Sequence, residues 1–118
     1  TRDFTFVEDT CRGLMAVAAA PQGCGEVFNI GTEREIRIAD LYQQIAGLMN
    51  VSVEVEQDQA RLRPEKSEVR RLLCGAAKLR AATGWAPSVP LEEGLSRAIE
   101  WFRNPDNLRR YKPEIYNV

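Results

Sequence analysis

Hydrophobic positions in this chain recur in two rhythms, one of two residues and one of three to four, and the rhythms alternate along the sequence. Residues 4–7 (FTFV) are aromatic and β-branched and predict a short strand. From Glu8 the spacing changes, with Cys11, Leu14, Met15 and Ala18 recurring at helical intervals until Pro21 and Gly23 stop them. Residues 26–30 (EVFNI) predict a second strand, closed by Gly31. The most regular stripe follows: Ile38, Leu41, Tyr42, Ile45, Leu48 and Met49 share one helix face, Asp40 lies early enough to favour the helix dipole, and Asn50 ends the run. Val51, Val53 and Val55 then alternate with Ser52, Glu54 and Glu56, the pattern of a strand with one face in water.

Residues 57–68 are polar and interrupted by Pro64, which predicts a long loop of the kind that carries function in compact domains. A short strand over 69–73 and a brief helix over 76–83 capped by Gly84 come next. The last strong helix starts near Pro90, buries Leu91, Leu95, Ala98, Ile99 and Phe102, and stops at Asn104-Pro105. The tail YKPEIYNV has two tyrosines and no period. Strands interleaved with helices give an α+β class, and no internal repeat or linker divides the chain.

Composition narrows the partners. A chain of 118 residues holds one domain. Sixteen basic against seventeen acidic residues leave a net charge of −1, so no overall field draws it to nucleic acid or to a membrane. No apolar run approaches the roughly 18 residues of a membrane span, and Arg2 and Asp3 stand where a signal peptide would have its apolar core, so a soluble, cytoplasmic protein is expected. Cys11, Cys24 and Cys74 fit no metal or disulfide framework and read as reduced, buried or half-buried thiols. Histidine is absent, and with it the commonest general base and metal ligand.

The chemistry that remains is sparse. A dinucleotide turn needs three glycines at G-x-G-x-x-G; Gly23 and Gly25 supply two, and Phe28 stands in the third place. Glu92 and Glu93 are paired carboxylates, but they lie in the first turn of a helix, where its dipole accounts for them. Neither a catalytic, a cofactor-binding nor a metal-binding set is therefore assigned. What is left is arginine: Arg2 beside a strand, and Arg61 and Arg63 in the long loop, stiffened by Pro64. Guanidinium forks grip phosphate oxygens in pairs, so arginines converging from separate elements would clamp a diphosphate; the alternative is that they are solvated surface charges.

Three stretches, TRDFTFVEDTCRGL, GEVFNIGTEREIRIADLYQQIAGL and RLRPEKSEVRRLLCGAAKLRAATGWAPSVPLEEGLSRAIEWF, in that order, resemble the C-terminal part of the extended short-chain dehydrogenase/reductase (NAD-dependent epimerase/dehydratase) family, and most of all its nucleotide-sugar 4,6-dehydratases. The resemblance covers residues 1–104 and leaves 105–118 as a tail. It implies the substrate-binding region without the Rossmann half, so that the glycine fingerprint and the Tyr-x-x-x-Lys pair would lie upstream of Thr1. It implies a nucleotide-sugar ligand, UDP-linked, gripped by Arg2 and by Arg63 at its diphosphate, with Asn29 beside the pocket and Glu68 as a substitute for the ribose acid that Glu65 and Lys66 displace. Asp9 would be structural at the start of the first helix. NAD or NADP would be bound by the full-length parent and no cofactor by this chain. Three capping losses are expected: a carboxylate ahead of the short helix, where Gly75-Ala76-Ala77-Lys78 stands, and the serine or threonine N-caps that Arg37 and Pro90 replace, the last two each costing up to ~1 kcal/mol. Without its other half the chain would expose Leu14, Met15, Val17 and Ala18 on one helix and Trp101 and Phe102 on another, which predicts a homo-oligomer. Two rival readings are a free-standing module that binds a nucleotide-sugar or a protein without catalysis, and a relic that only oligomerises.

Overall fold

A computed structural model describes residues 1–55, 69–109 and 111. Among these residues five α-helices follow one another, α1 (Val7–Ala19), α2 (Ile38–Met49), α3 (Ala77–Thr83), α4 (Leu91–Arg103) and α5 (Pro105–Leu108), with a 3-10 turn at Pro21–Gly23. The periodic stripes thus form helices where the sequence places them. Asn50 and Gly84 close α2 and α3 in the left-handed conformation, φ 54° and 70°, the geometry that satisfies terminal carbonyls. Asn104 closes α4 and at once caps α5, its side-chain oxygen accepting from the Asp106 amide at 3.0 Å. This short helix lies in a stretch whose sequence shows no period.

The strand-like stretches behave differently. Among the described residues the ladder is one isolated antiparallel bridge, Arg2 with Ile36, closed by two 3.0 Å backbone bonds. Residue 7 already belongs to α1, because the Phe6 carbonyl accepts from the Thr10 amide and starts the helix there. Val51, Val53 and Val55 are 44, 56 and 75% exposed, so their alternation does not translate into a buried face; no described element covers it. Residues 69–73 run alongside the N-terminal segment, with the Leu72 amide donating to the Thr1 carbonyl.

A small core forms where α1 meets α3. Ala76, Leu79 and Trp85 are buried, and Ala16, Val17, Phe28, Ile30 and Cys74 pack against them. Val17, expected on the orphaned face of α1, therefore faces inward, whereas Leu14 and Met15 stay 60 and 71% exposed. Gly13 lets this happen: a Cβ there would lie 2.9 Å from Ile30 Cδ1. Helix α4 packs on α2 and crosses the N-terminal segment at Gly94, where a Cβ would stand 3.1 Å from the Phe6 ring. Four of the five expected apolar residues of α4 are half-buried; the fifth, Phe102, is exposed and stacks edge-on with Trp101 and Tyr111.

One charged group sits inside this assembly. Asp9 has no exposed surface. Its carboxylate accepts from the Ser88 amide at 3.1 Å, the Val89 amide at 3.0 Å, the Ser88 hydroxyl and the Arg12 guanidinium, while its own carbonyl accepts from the Trp85 indole at 3.2 Å. It fastens α1 to the turn that leads into α4, the structural part the resemblance implies for it. Charge-assisted bonds contribute about 1.5–3 kcal/mol each, and unmaking a buried ionic contact leaves its partners unpaired. Asp9→Ala is expected to cost about 3–5 kcal/mol, read in urea denaturation followed by tryptophan fluorescence; a loss under about 1 kcal/mol would mean the contact is dispensable.

Candidate functional site

The N-terminal residues 1–3 lie between two other extended segments, and that placement builds the site. Arg2 pairs by its backbone with Ile36 on one side, and its guanidinium donates to the carbonyls of Thr1 and Val69, each at 2.8 Å, on the other. Val69 directly follows the polar stretch 57–68 in sequence. Glu35 and Arg71 form a two-point ion pair across the same junction, at 2.6 and 2.7 Å, and the Thr1 hydroxyl donates to Glu35 as well.

Asp3 does the close work. Its carboxylate accepts from the Thr32 amide at 3.1 Å, the Thr32 hydroxyl, the Glu33 amide at 2.9 Å and the Cys74 amide at 3.3 Å. Four donors from two segments thus converge on one side chain. The segments can meet only because residue 31 is glycine: a Cβ there would fall 2.3 Å from Cys74 Cβ. In front of this junction opens a cleft of about 540 Å³ lined by Asp3, Phe28, Asn29, Ile30 and residues 72–75.

Behind it, Glu33 holds the left-handed conformation at φ 59°, a strained choice for a residue with a Cβ that costs roughly 1–2 kcal/mol. Its carboxylate accepts from the Ala76 amide at 3.0 Å and from Arg80. The carboxylate expected to be missing ahead of α3 is therefore supplied from another part of the chain, since Ala76 is the residue that opens this helix. The capping deficit at Arg37 does stand, and its guanidinium instead grips Asp40 at 2.8 and 2.9 Å. Glu33 also lines a second cleft of about 570 Å³ with Phe4, Arg34, Arg80 and residues 87–91.

Of the residues singled out by sequence, Asn29 lines the first cleft, whereas Arg2 does not; its neighbour Asp3 lines the cleft, and the Arg2 guanidinium is directed to main-chain carbonyls. Arg63 and Glu68, together with Arg61, Glu65 and Lys66, lie outside the described residues. Asp3 and Glu33 were not legible as site residues. The signal for Asp3 was its place next to Arg2; for Glu33 there was none, because a glutamate at positive φ leaves no mark in a sequence. Cys74 is half-buried as expected, and burial, followed by the Asp3 and Glu33 carboxylates, pushes its thiol up and keeps it protonated. Cys11 and Cys24 are exposed instead, one on the outer face of α1 and the other just past the 3-10 turn. Gly23 packs against the Val17 carbonyl, 2.7 Å from where a Cβ would be, so the close turn here requires a glycine. Among the described residues no cluster of ligating side chains could hold a metal ion, and no helix is long and apolar enough to cross a membrane.

Residues 1–98 match the family model described as GDP-mannose 4,6 dehydratase. The chain belongs to the NAD-dependent epimerase/dehydratase family. It is 36% identical over 104 residues to the UDP-glucose 4-epimerase of Mycolicibacterium smegmatis, covering 88% of this chain and 32% of that enzyme. It is 29% identical over 115 residues to the dTDP-glucose 4,6-dehydratase of Xanthomonas campestris pv. campestris, covering 86% and 30%. Among solved structures, the UDP-glucose 4-epimerase of Thermotoga maritima with UDP-glucose superposes with a TM-score of 0.76 at 31% identity, over 87% of this chain and 31% of that one. The chain spans about a third of the length of the curated relatives it matches.

Three carboxylates set how the junction responds to acid. Arg71 and then the Thr1 hydroxyl hold Glu35 below the ordinary glutamate range; Arg80 and then the Ala76 amide do the same for Glu33, and Lys78 for Glu26. A depressed carboxylate contributes stability above its unfolded value and loses it as pH falls through the folded one. Stability is expected to hold above roughly pH 4.3 and to fall below it, with Glu33→Gln and Glu35→Gln each flattening the fall. Melting curves from pH 3 to 6 check this, and a profile that Glu33→Gln leaves unaltered would contradict it.

Proposed function

We propose that the chain is the nucleotide-sugar-binding, C-terminal part of an NAD(P)-dependent 4,6-dehydratase or epimerase, organised as an α+β substrate region over residues 1–104. The observation that carries this reading is the superposition of 87% of the chain on an epimerase solved with UDP-glucose. The local chemistry agrees with it. Asn29 lines a cleft together with the aromatic Phe28, and Arg2 immediately precedes the Asp3 that bonds to both walls. Arg63, within the polar stretch that precedes Val69 in sequence, is assigned the second grip on the diphosphate.

In such an enzyme the nicotinamide supplies reversible hydride transfer at the sugar. The part assigned to this chain is different: it binds the nucleotide, fixes the sugar's orientation by holding the diphosphate at two points, and keeps the two cleft walls at a set separation. Proton and hydride transfer belong to residues outside it. The chain tested as it stands is therefore expected to bind UDP without turning over any nucleotide-sugar. Two charge-assisted contacts to one diphosphate should each contribute about tenfold in affinity. UDP titration by calorimetry is expected to show binding that Arg2→Ala and Arg63→Ala each weaken by about that factor. If both variants bind as the parent does, the diphosphate clamp is wrong.

A further inference from the structure

We infer that Glu33 is a positioning residue for the Asn29 cleft, acting through the Ala76 amide without touching the ligand; the inference rests on the nucleotide-sugar reading above. The cleft has two walls. One is residues 28–30, continuous with Gly31, Thr32 and Glu33; the other is residues 72–75, continuous with Ala76 and α3. They touch at their base, where Gly31 meets Cys74. Two carboxylates bond across this contact. Asp3 accepts from Thr32 and Glu33 on the first side and from the Cys74 amide on the second. Glu33 belongs to the first side and accepts from the Ala76 amide on the second, two residues further along.

The two are not equivalent. Asp3 lines the cleft itself, so any change there alters what a ligand meets. Glu33 lies behind the junction and lines the other cleft with Arg80. Its backbone is strained, which an element kept only for stability would not require, since glycine fits φ 59° without strain. What a glycine cannot supply is the acceptor for Ala76. The groups facing the Glu33 carboxylate are the Ala76 amide and the Arg80 guanidinium, with Asp3 as the neighbouring like charge and the Cys74 thiol close enough to feel it.

Two substitutions separate positioning from plain stability. Glu33→Gly accepts the backbone conformation and removes the acceptor, whereas Glu33→Gln keeps an oxygen for Ala76 and gives up the charge on Arg80. Losing one hydrogen bond that fixes a wall is expected to weaken UDP binding about fivefold in Glu33→Gly, with a melting temperature no lower than that of Glu33→Gln because the backbone strain is relieved, while Glu33→Gln keeps the parent's affinity. Glu33→Gly binding UDP as the parent does, or affinity falling in step with melting temperature in both variants, would overturn the inference. A ligand-free arm keeps the two readings apart. Amide hydrogen exchange at Cys74 and Ala76 is expected to quicken in Glu33→Gly and not in Glu33→Gln. Should the parent bind no UDP, the nucleotide-sugar reading falls alone; unchanged exchange at both amides in Glu33→Gly then overturns the positioning part, and quickened exchange upholds it.

Discussion

The structure depends on carboxylates that accept main-chain amides across long sequence distances. Asp9 is the extreme case, a charge with no exposed surface whose partners are the amides of Ser88 and Val89, the Ser88 hydroxyl and the Arg12 guanidinium. Taking an ion out of water costs several kcal/mol, so it persists only where its lone pairs are filled. Here they are filled by groups that no ladder or helix satisfies. Asp3 repeats the device with Thr32, Glu33 and Cys74, and Glu33 repeats it with Ala76. Segments that pair by a single bridge are thereby held at fixed separation, and the helices can be short. The packed centre of Ala76, Leu79 and Trp85 is too small to do this unaided.

How much of this could be read from sequence follows from the range of each interaction. Helices α1, α2 and α4 were legible because their stripes repeat within the helix itself, α3 was legible through the Gly84 that stops it, and Asn50 and Gly84 were legible because the left-handed caps they form are a local demand. The strands were harder. Val51, Val53 and Val55 alternate as a half-buried strand would, but alternation states only which face could be covered, and here no described element covers it. The short helix α5 rests on one cap by Asn104 and leaves no periodic trace in four residues. Arg2 was singled out as one of the few remaining cations and Asn29 through a resemblance; Asp3 and Glu33 were not, since their roles exist only once residues 32, 33, 74 and 76 are brought together.

The cleft is a consequence of the same bonds. Gly31 lets the two walls touch, Asp3 and Glu33 keep them from sliding, and Asn29 and Phe28 face the space that results. Membership of the NAD-dependent epimerase/dehydratase family gives that space a candidate occupant, and the proposed division of labour follows: grip and orientation here, hydride and proton transfer elsewhere.

The most direct test is a map of where UDP-glucose lands, from amide chemical-shift changes across the chain on titration. The account predicts that the largest changes cluster at Asp3, Asn29, Cys74 and Gly75, with the Arg2 amide among them and the outer face of α1 at Leu14 and Met15 unaffected. Changes concentrated on α1, or around Trp101 and Phe102 with none at Asn29, would contradict it.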